Sequence, residues 1–307
     1  MKKIITTLSI HLLVVGAIFF YINRDVLIPE PRVASSVAAV TTVAVNEPVS
    51  QTAQVVEVVK KPTLETQPEG VDTKTENTLV IGQTVEGRDI VAHRFGDGER
   101  ELVFVGGIHG GYDFETVLIA EELIQHLKNN PGAIPPQARV TVIPTLNVDG
   151  LYKDSEVAGR FNAREVDLNR NFDCDWQAEA TWEGKAVSGG SSTFSEPESA
   201  AFKTYIETAK PDAVFVWYGG AGGVFASSCH NDVLPETTKL TTLFAKASGY
   251  RAYTDYNFYE VTGDMVNWLA KVNIPAISIV VPRSSETDWQ KNWLGIEGVL
   301  ETYREEY

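Results

Sequence analysis

Few cysteines and a shortage of positive charge narrow the classes of protein to which this sequence can belong. The 307 residues include two cysteines, Cys174 and Cys229, too few for a disulfide-rich scaffold or a four-cysteine zinc site. They form either one disulfide in an oxidising compartment or two buried thiols, and the residues alone leave both open. The formal net charge is -15, so the surface repels phosphate backbones and we expect no nucleic-acid partner.

Two signatures of other enzyme classes are also missing. The sequence has no G-x-S-x-G elbow of the kind found in α/β serine hydrolases, and no Walker-type phosphate loop. Its glycine-rich stretch at residues 219–223 lacks the G-x-G-x-x-G spacing of a dinucleotide site. We therefore interpret that stretch as backbone that passes close to a binding cleft.

The N-terminal residues have the pattern of an export signal or membrane anchor. Lys2 and Lys3 precede a mostly apolar run at residues 4–22. A helix of that length rises about 28 Å, close to the hydrocarbon thickness of a bilayer. Because no clear small-x-small cleavage site follows, the pattern favours a retained anchor over a cleaved signal peptide. The lysines predict a cytoplasmic N-terminus, with the rest of the chain at the cell surface or in the periplasm.

A segment of different composition follows the anchor. Residues 29–77 are rich in Val, Ala, Thr, Pro and Glu, contain no aromatic residue and show no helical period. We interpret them as a flexible linker that holds the rest of the chain away from the membrane. The sequence thus predicts an anchor or signal at residues 1–28, a linker at 29–77 and one globular domain at 78–307.

Within that domain, apolar runs of strand length alternate with segments of helical periodicity. Strand patterns occupy residues 78–85, 89–94, 102–105, 140–143, 213–217 and 274–281, and helical patterns occupy 114–127, 197–208, 237–247, 262–269 and 289–303. This alternation predicts an α/β domain with a mixed, mostly parallel sheet flanked by helices.

Two polar clusters follow the predicted strands, where the active residues of such sheets usually lie. His109 comes soon after the strand at residues 102–105, and Asp113 opens the next helix, so the two could hold one divalent metal or simply form a hydrogen-bonded pair. Residues 160–171 contain three arginines and three asparagines, a set suited to binding carboxylates. The alternative is that this polar loop only supplies structural hydrogen bonds.

Six short motifs carry a resemblance to a known family. They are VEGR at residues 85–88, GGIHG at 106–110, NVDG at 147–150, VDLNRNF at 166–172, FSEPE at 194–198 and YEVTG at 259–263. With these motifs in this order, residues 78–307 resemble the zinc carboxypeptidases, the carboxypeptidase A-like metallopeptidases. The resemblance implies zinc-dependent release of C-terminal residues from peptides that end in a free carboxylate.

The resemblance also implies roles for individual residues. His109 is similar to the first ligand of the family's single zinc ion, and Asp113 to its acidic ligand, with Asp in place of Glu and a spacing one residue longer. Arg164 is similar to the arginine that stabilises the carbonyl oxyanion. Asn169 and Arg170 look like the pair that grips the terminal carboxylate.

Further positions extend the resemblance. Tyr259 resembles the tyrosine that closes over the peptide. Cys174 and Cys229 fall where some relatives carry a cysteine pair, which favours a disulfide.

Two positions depart from the family pattern. Tyr218 stands where the third zinc ligand, a histidine, is expected, and a neutral phenol is a poor zinc ligand. Val280 stands where the catalytic glutamate is expected, and losing a general base typically reduces the rate by about 10²–10⁴. His230 and Glu286 are the nearest replacements in sequence, although short offsets rarely reproduce the geometry that a base or a ligand needs.

Two functional hypotheses follow from this pattern. The first is a metallocarboxypeptidase with unusual ligands. The second is a catalytically inactive, extracytoplasmic peptide-binding domain, since the carboxylate-binding positions match the family while the catalytic ones do not. The physical chemistry of the two altered positions favours lost or much reduced catalysis.

Overall fold

The computed structural model describes residues 76–153, 157–220, 222–230, 233–283 and 287–304. The predicted anchor at residues 1–28 and nearly all of the predicted linker at 29–77 lie outside these ranges, as does Glu286. Of the helices in the part of the chain that the structure describes, none is both long and apolar enough to span a bilayer.

An eight-stranded sheet in the order β1-β2-β4-β3-β7-β10-β8-β9 forms the centre of the domain. Its strands are β1 Glu76–Gln83, β2 Asp89–Phe95, β3 Arg100–Val105, β4 Ala138–Ile143, β7 Ala213–Gly220, β8 Gly223–Ala226, β9 Ala252–Tyr253 and β10 Ala276–Pro282. The two remaining strands, β5 Glu179–Trp182 and β6 Lys185–Ser188, form a separate antiparallel hairpin.

The four central strands β4, β3, β7 and β10 run parallel to one another. Their carboxyl ends therefore meet at one edge of the sheet, where ligand sites of α/β domains usually form. In the register of β7 and β10, Val280 pairs with Tyr218. The two positions that depart from the family pattern are thus direct neighbours. The mixed, mostly parallel sheet predicted from the sequence is confirmed.

Helices cover both faces of the sheet. They are α1 Phe114–Asn129, α2 Val148–Leu151, α3 Pro197–Ala209, α4 Pro235–Ser248, α5 Met265–Lys271 and α6 Trp289–Thr302. Apolar residues of α1, α4 and α6 pack with Phe104 and Phe215 in one core. Those of α3 and α5 pack with Val103 and Val214 in the other. Successive strand residues face opposite sides, so each central strand contributes to both cores.

Short strands and helix starts are the main differences from the sequence-based prediction. The β5–β6 hairpin, β8 and β9 were not predicted, because segments of two to four residues are too short to show a period. Helix α5 begins at Met265 rather than at residue 262. The Asp264 side chain caps the helix there, because it accepts a hydrogen bond from Asn267 N.

A disulfide joins Cys174 to Cys229, with their Cα atoms 6.1 Å apart. It connects the loop that follows the VDLNRNF motif to the segment after β8. Gly263 N also donates to Cys174 O at 2.7 Å, which ties the bridge to the start of α5. The expectation of a disulfide is confirmed, and the alternative of two free thiols is excluded.

Candidate functional site at the carboxyl ends of the parallel strands

A cavity of about 870 Å³ opens at the carboxyl ends of β7 and β10. Four of the six predicted site residues line it, namely His109, Asn169, Arg170 and Tyr259, together with Tyr218 and Val280. Gly219, Gly220 and Gly222 also line it, as expected for a glycine-rich stretch that passes close to a cleft. A groove of about 1040 Å³ between α1 and the start of α6 contains none of the predicted site residues.

His109 and Asp113 form a buried pair at the start of α1. Nδ1 of His109 lies 2.6 Å from Oδ2 of Asp113. The turn that brings them together needs Gly110, whose φ is +46° and where a Cβ would meet backbone atoms of Gly159 and Gly150 at less than 3 Å. Burial alone would raise the pKa of Asp113, but the hydrogen bond from His109 and the charge of Arg283 lower it below its usual range.

Arg160 and Asp167 support the other side of the His109 ring. Nε and Nη2 of Arg160 lie 2.9 and 2.7 Å, respectively, from Oδ2 of Asp167. Nη1 of Arg160 lies 3.3 Å from Nδ1 of His109. Oδ1 of Asp167 lies 3.6 Å from His109 Nε2, which has no hydrogen-bond partner among the described residues. Burial acts to raise the pKa of Asp167, yet Arg160 and His109 hold it well below its usual range.

Arg164 lies outside the cavity, contrary to the expectation that it faces the reacting carbonyl. Its side chain is 55% exposed and lies 3.6 Å from Glu196. The reason is local, because Oδ1 of Asn162 accepts hydrogen bonds from Arg164 N and Val166 N and turns the loop outward there. The arginine that borders the cavity beside His109 is Arg160, whose guanidinium stacks 4.4 Å from the Trp182 ring.

Arg170 is the most deeply buried cation of the cavity, with 1% of its surface exposed. Its Nε donates to Thr181 O at 3.1 Å and its Nη1 to Asn169 O at 2.7 Å. Its Nη2 has no partner of acceptable hydrogen-bond geometry among the described residues, although Tyr259 is close enough to contribute to the raised pKa of Arg170. That pKa is raised because Asp167, Tyr259 and Asp264 outweigh the lowering effect of burial.

Tyr218 is held as a neutral phenol. Burial, and then the nearby charge of Asp264, raise the pKa of Tyr218 well above its ordinary value. The Tyr218 hydroxyl donates to Oδ1 of Asn169 at 3.3 Å, and the same oxygen accepts from Met265 N at 3.1 Å. Tyr218 therefore helps to fix the position of Asn169, and without a bound metal its oxygen is neutral.

Of the two replacements weighed from the sequence, Glu286 lies outside the described residues and His230 lies away from the site. His230 is 67% exposed and lies 3.1 Å from Asp175, on the disulfide side of the domain. Instead, Arg283, one residue after β10, places Nε 2.9 Å from Oδ1 of Asp113. The Arg283 guanidinium also lies 4.5 Å from the ring of Tyr112.

Glu115 is a second buried acid beside Asp113. Burial, reinforced by the charge of Asp113, raises the pKa of Glu115 to about 7. Its Oε1 has no hydrogen-bond partner among the described residues. A Cβ at Gly219 would overlap both this oxygen and Oδ1 of Asp113, so only glycine leaves room for the two carboxylates.

These donors do not fit a catalytic zinc ion, which normally has three protein ligands and one open position. His109 and Asp113 supply two candidates, Tyr218 supplies a neutral phenol, which is a poor zinc ligand, and two guanidinium groups border the pair. In the part of the chain that the structure describes, the one cluster of three metal-type donors is Cys174, Asp175 and Cys229, and its two sulfurs are bonded to each other.

Arg160 and Arg283 are the site residues that sequence reasoning missed. Arg283 lies two residues after a predicted strand, so the strand-end rule that identified His109 would also have identified Arg283. Arg160 belonged to the predicted polar loop, but its role could not be separated from that of Arg164 without knowing which way the loop turns.

Comparisons with known proteins agree with this fold. A family model described as zinc carboxypeptidase matches residues 73–299. Over 110 residues the chain is 32% identical to carboxypeptidase D of Mus musculus, covering 30% of this chain and 8% of that protein. It is 26% identical over 226 residues to bacteriocin BCN5 of Clostridium perfringens, covering 68% of this chain and 23% of that protein. The chain thus spans a small part of the length of these relatives.

Solved structures show the same fold at low sequence identity. Bovine thrombin-activatable fibrinolysis inhibitor, in complex with tick carboxypeptidase inhibitor, has a TM-score of 0.64 at 13% identity, covering 75% of this chain and 90% of that chain. Murein-tripeptide amidase MpaA from Escherichia coli O157 has a TM-score of 0.54 at 22% identity, covering 73% of this chain and 91% of that chain.

Proposed function

The chain belongs to the zinc carboxypeptidase family, and from that premise we propose that its domain binds peptides by a free C-terminal carboxylate without cutting them. The observation that carries the proposal is the Arg170 guanidinium in the wall of the cavity: its buried Nη2 has no acceptor of good hydrogen-bond geometry among the described residues, although the Tyr259 side chain lies near it. Leaving such a donor unsatisfied costs about 1–3 kcal/mol, and more when the group is charged. A carboxylate that enters the cavity would remove this penalty.

The surroundings of Arg170 suit the end of a peptide. Asn169 and Tyr259 line the same cavity, where they can orient the carboxylate. Trp182, Tyr256 and Phe258 form an aromatic wall, and Phe258 is 61% exposed. Aromatic rings of this kind bury large apolar areas at low entropic cost, so they can hold the side chains of the last residues.

Hydrolysis is disfavoured by three residues at the site. Tyr218 is a protonated phenol, Val280 has no proton-accepting group, and Arg283 occupies one oxygen of Asp113. A zinc carboxypeptidase remains a second candidate, favoured by the His109–Asp113 pair and by the position of Asp167 behind it. Stoichiometric zinc and release of C-terminal residues from a peptide library would support that second candidate instead.

We also propose a location outside the cytoplasm, tethered through the apolar run at residues 4–22. The Cys174–Cys229 disulfide supports this, because such bonds persist mainly in oxidising compartments. A reporter fused after residue 307 that is active only in the periplasm or at the cell surface would test it.

The binding proposal predicts that affinity depends on two charges, the C-terminal carboxylate of the peptide and the guanidinium of Arg170. Fluorescence anisotropy of labelled peptides should show at least about tenfold weaker binding when the C-terminus is amidated, since a charge-assisted hydrogen bond is lost. Arg170→Met should weaken binding similarly. Arg164→Met is the matched control, because Arg164 lies in the same loop but outside the cavity, and it should change affinity by less than about twofold.

The comparison of acid and amide peptides tests the proposal even if Arg170→Met does not fold, because it uses the unaltered chain. Equal affinity for the acid and the amide forms would exclude recognition of the carboxylate. A larger loss in Arg164→Met than in Arg170→Met would show that the cavity is not the binding site.

A further inference from the structure

The position that the family assigns to a metal ion is bordered here by two arginines. Arg283 Nε lies 2.9 Å from Oδ1 of Asp113, while Arg160 Nη1 lies 3.3 Å from Nδ1 of His109. The other oxygen of Asp113, Oδ2, is bonded to His109. Nδ1 of His109 and both oxygens of Asp113 therefore already have partners, while Nε2 of His109 has none among the described residues.

Charge balance explains why a cation is needed at this point. The Asp113 side chain is 2% exposed, and a buried carboxylate is strongly unfavourable unless an opposite charge and hydrogen bonds accompany it. In a metallopeptidase the metal supplies that charge. In this chain the guanidinium of Arg283 supplies it.

We propose that the guanidinium of Arg283 takes the place of the zinc ion, neutralising Asp113 and closing the site to divalent metals. Arg283 leaves the carboxyl end of β10, the strand on which Val280 has replaced the expected glutamate. The same strand end thus lacks the negative charge expected there and carries a positive one, and both features disfavour a cation in the cavity.

The orientation of Arg283 is fixed by more than its ion pair. Its guanidinium lies 4.5 Å from the centre of the Tyr112 ring, and that of Arg160 lies 5.6 Å from the same ring. Cations over an aromatic face are attracted by its quadrupole. A divalent ion at His109 and Asp113 would approach these two positive groups and would have to displace Arg283.

A simple surface ion pair is the alternative explanation. Pairs between two exposed side chains contribute about 0–1 kcal/mol. The Arg283 side chain is 38% exposed, but its partner is almost fully buried, so removal of the guanidinium leaves Oδ1 of a buried carboxylate without its charged partner. That site should then accept another cation, which gives the proposal its test.

The experiment measures zinc binding by equilibrium dialysis and elemental analysis of the chelator-treated full chain, without peptide. Wild type should bind zinc no better than a His109→Ala variant. Arg283→Met should bind zinc at least about tenfold more tightly than wild type, in line with the 10–100-fold effects of groups around metal ligands. Arg283→Lys, which keeps the positive charge, should remain like wild type.

Arg139→Met is the matched control. Arg139 is 28% exposed and faces the buried Glu101 at 3.8 Å, at the opposite end of the sheet. Its loss should leave zinc binding unchanged. Histidine ¹⁵N spectra of the wild type give a readout that needs no variant, since added zinc should leave the His109 signals in place.

Tight zinc binding by the wild type that is lost in His109→Ala would overturn the proposal, as would a folded Arg283→Met with no gain. A shift of the wild-type His109 signals with zinc would overturn it as well. Because no peptide is present, these outcomes are independent of whether the cavity binds C-termini. Failure of peptide binding and failure of metal exclusion are therefore recognised separately.

Discussion

Asp264 links the stability of the cavity to pH. Asp264 caps α5 at the cavity wall, and 7% of its surface is exposed. Burial raises the pKa of Asp264 to about 6, and the charge of Arg170 only partly offsets that rise. The charged form is therefore less favourable in the folded than in the unfolded state. It follows that stability is highest below the unfolded-state pKa near 4 and falls as the pH rises through about 6.

Asp264→Asn should remove this pH dependence. Asparagine can still cap the helix but carries no charge. The variant should be more stable than wild type at pH 7, by up to about 3 kcal/mol for a shift of about two pKa units, and nearly equal to it at pH 4. Urea midpoints measured from pH 4 to pH 7 test this. Parallel curves for the two proteins would show that Asp264 does not titrate in this range.

The sequence predicted the positions of some site residues but not of others. His109, Asn169, Arg170 and Tyr259 were predicted at the site, and all four line one cavity. Arg164 was not predictable, because its direction depends on the hydrogen bonds that Asn162 makes with the backbone of the same loop. A spacing pattern contains no information about such a turn.

At the scale of elements, length decides what could be predicted. The strands β3, β4, β7 and β10 contain mostly apolar runs and were recognised, with small differences at their ends. The β5–β6 hairpin was not, although its Trp182 forms a wall of the cavity and contacts Arg160. A four-residue strand owes its existence to tertiary contacts, which local patterns do not reveal.

The disulfide is the covalent link between elements near the cavity. Replacing both Cys174 and Cys229 by Ser opens a loop of 55 residues and should lower the free energy of unfolding by about 4 kcal/mol on a chain-entropy estimate. Urea unfolding of the variant against the oxidised wild type measures the difference. Reduced wild type serves as the control and should resemble the variant. Identical midpoints for oxidised wild type and variant would show that the bridge does not constrain the unfolded chain.

At the scale of the whole molecule, three neighbouring parallel strands each bring one residue of the candidate site to the same edge of the sheet. One of these residues matches the family pattern and two depart from it. β3 leads to His109, β7 carries Tyr218 and β10 carries Val280, and the register pairs Val280 directly with Tyr218. The order of the strands could not be obtained from one sequence without the family resemblance. Once the sheet is formed, these positions must lie together, because parallel strands end at one edge.

This arrangement predicts what would be needed to create a metal site. The double change Tyr218→His with Val280→Glu supplies a third ligand and an acid, but Arg283 still neutralises Asp113. We therefore expect the double variant to bind zinc weakly and the triple variant with Arg283→Ala to bind about one zinc ion per chain. Elemental analysis after dialysis against micromolar zinc distinguishes them. Full zinc occupancy in the double variant would mean that Arg283 moves aside readily and that the missing ligands alone exclude the metal.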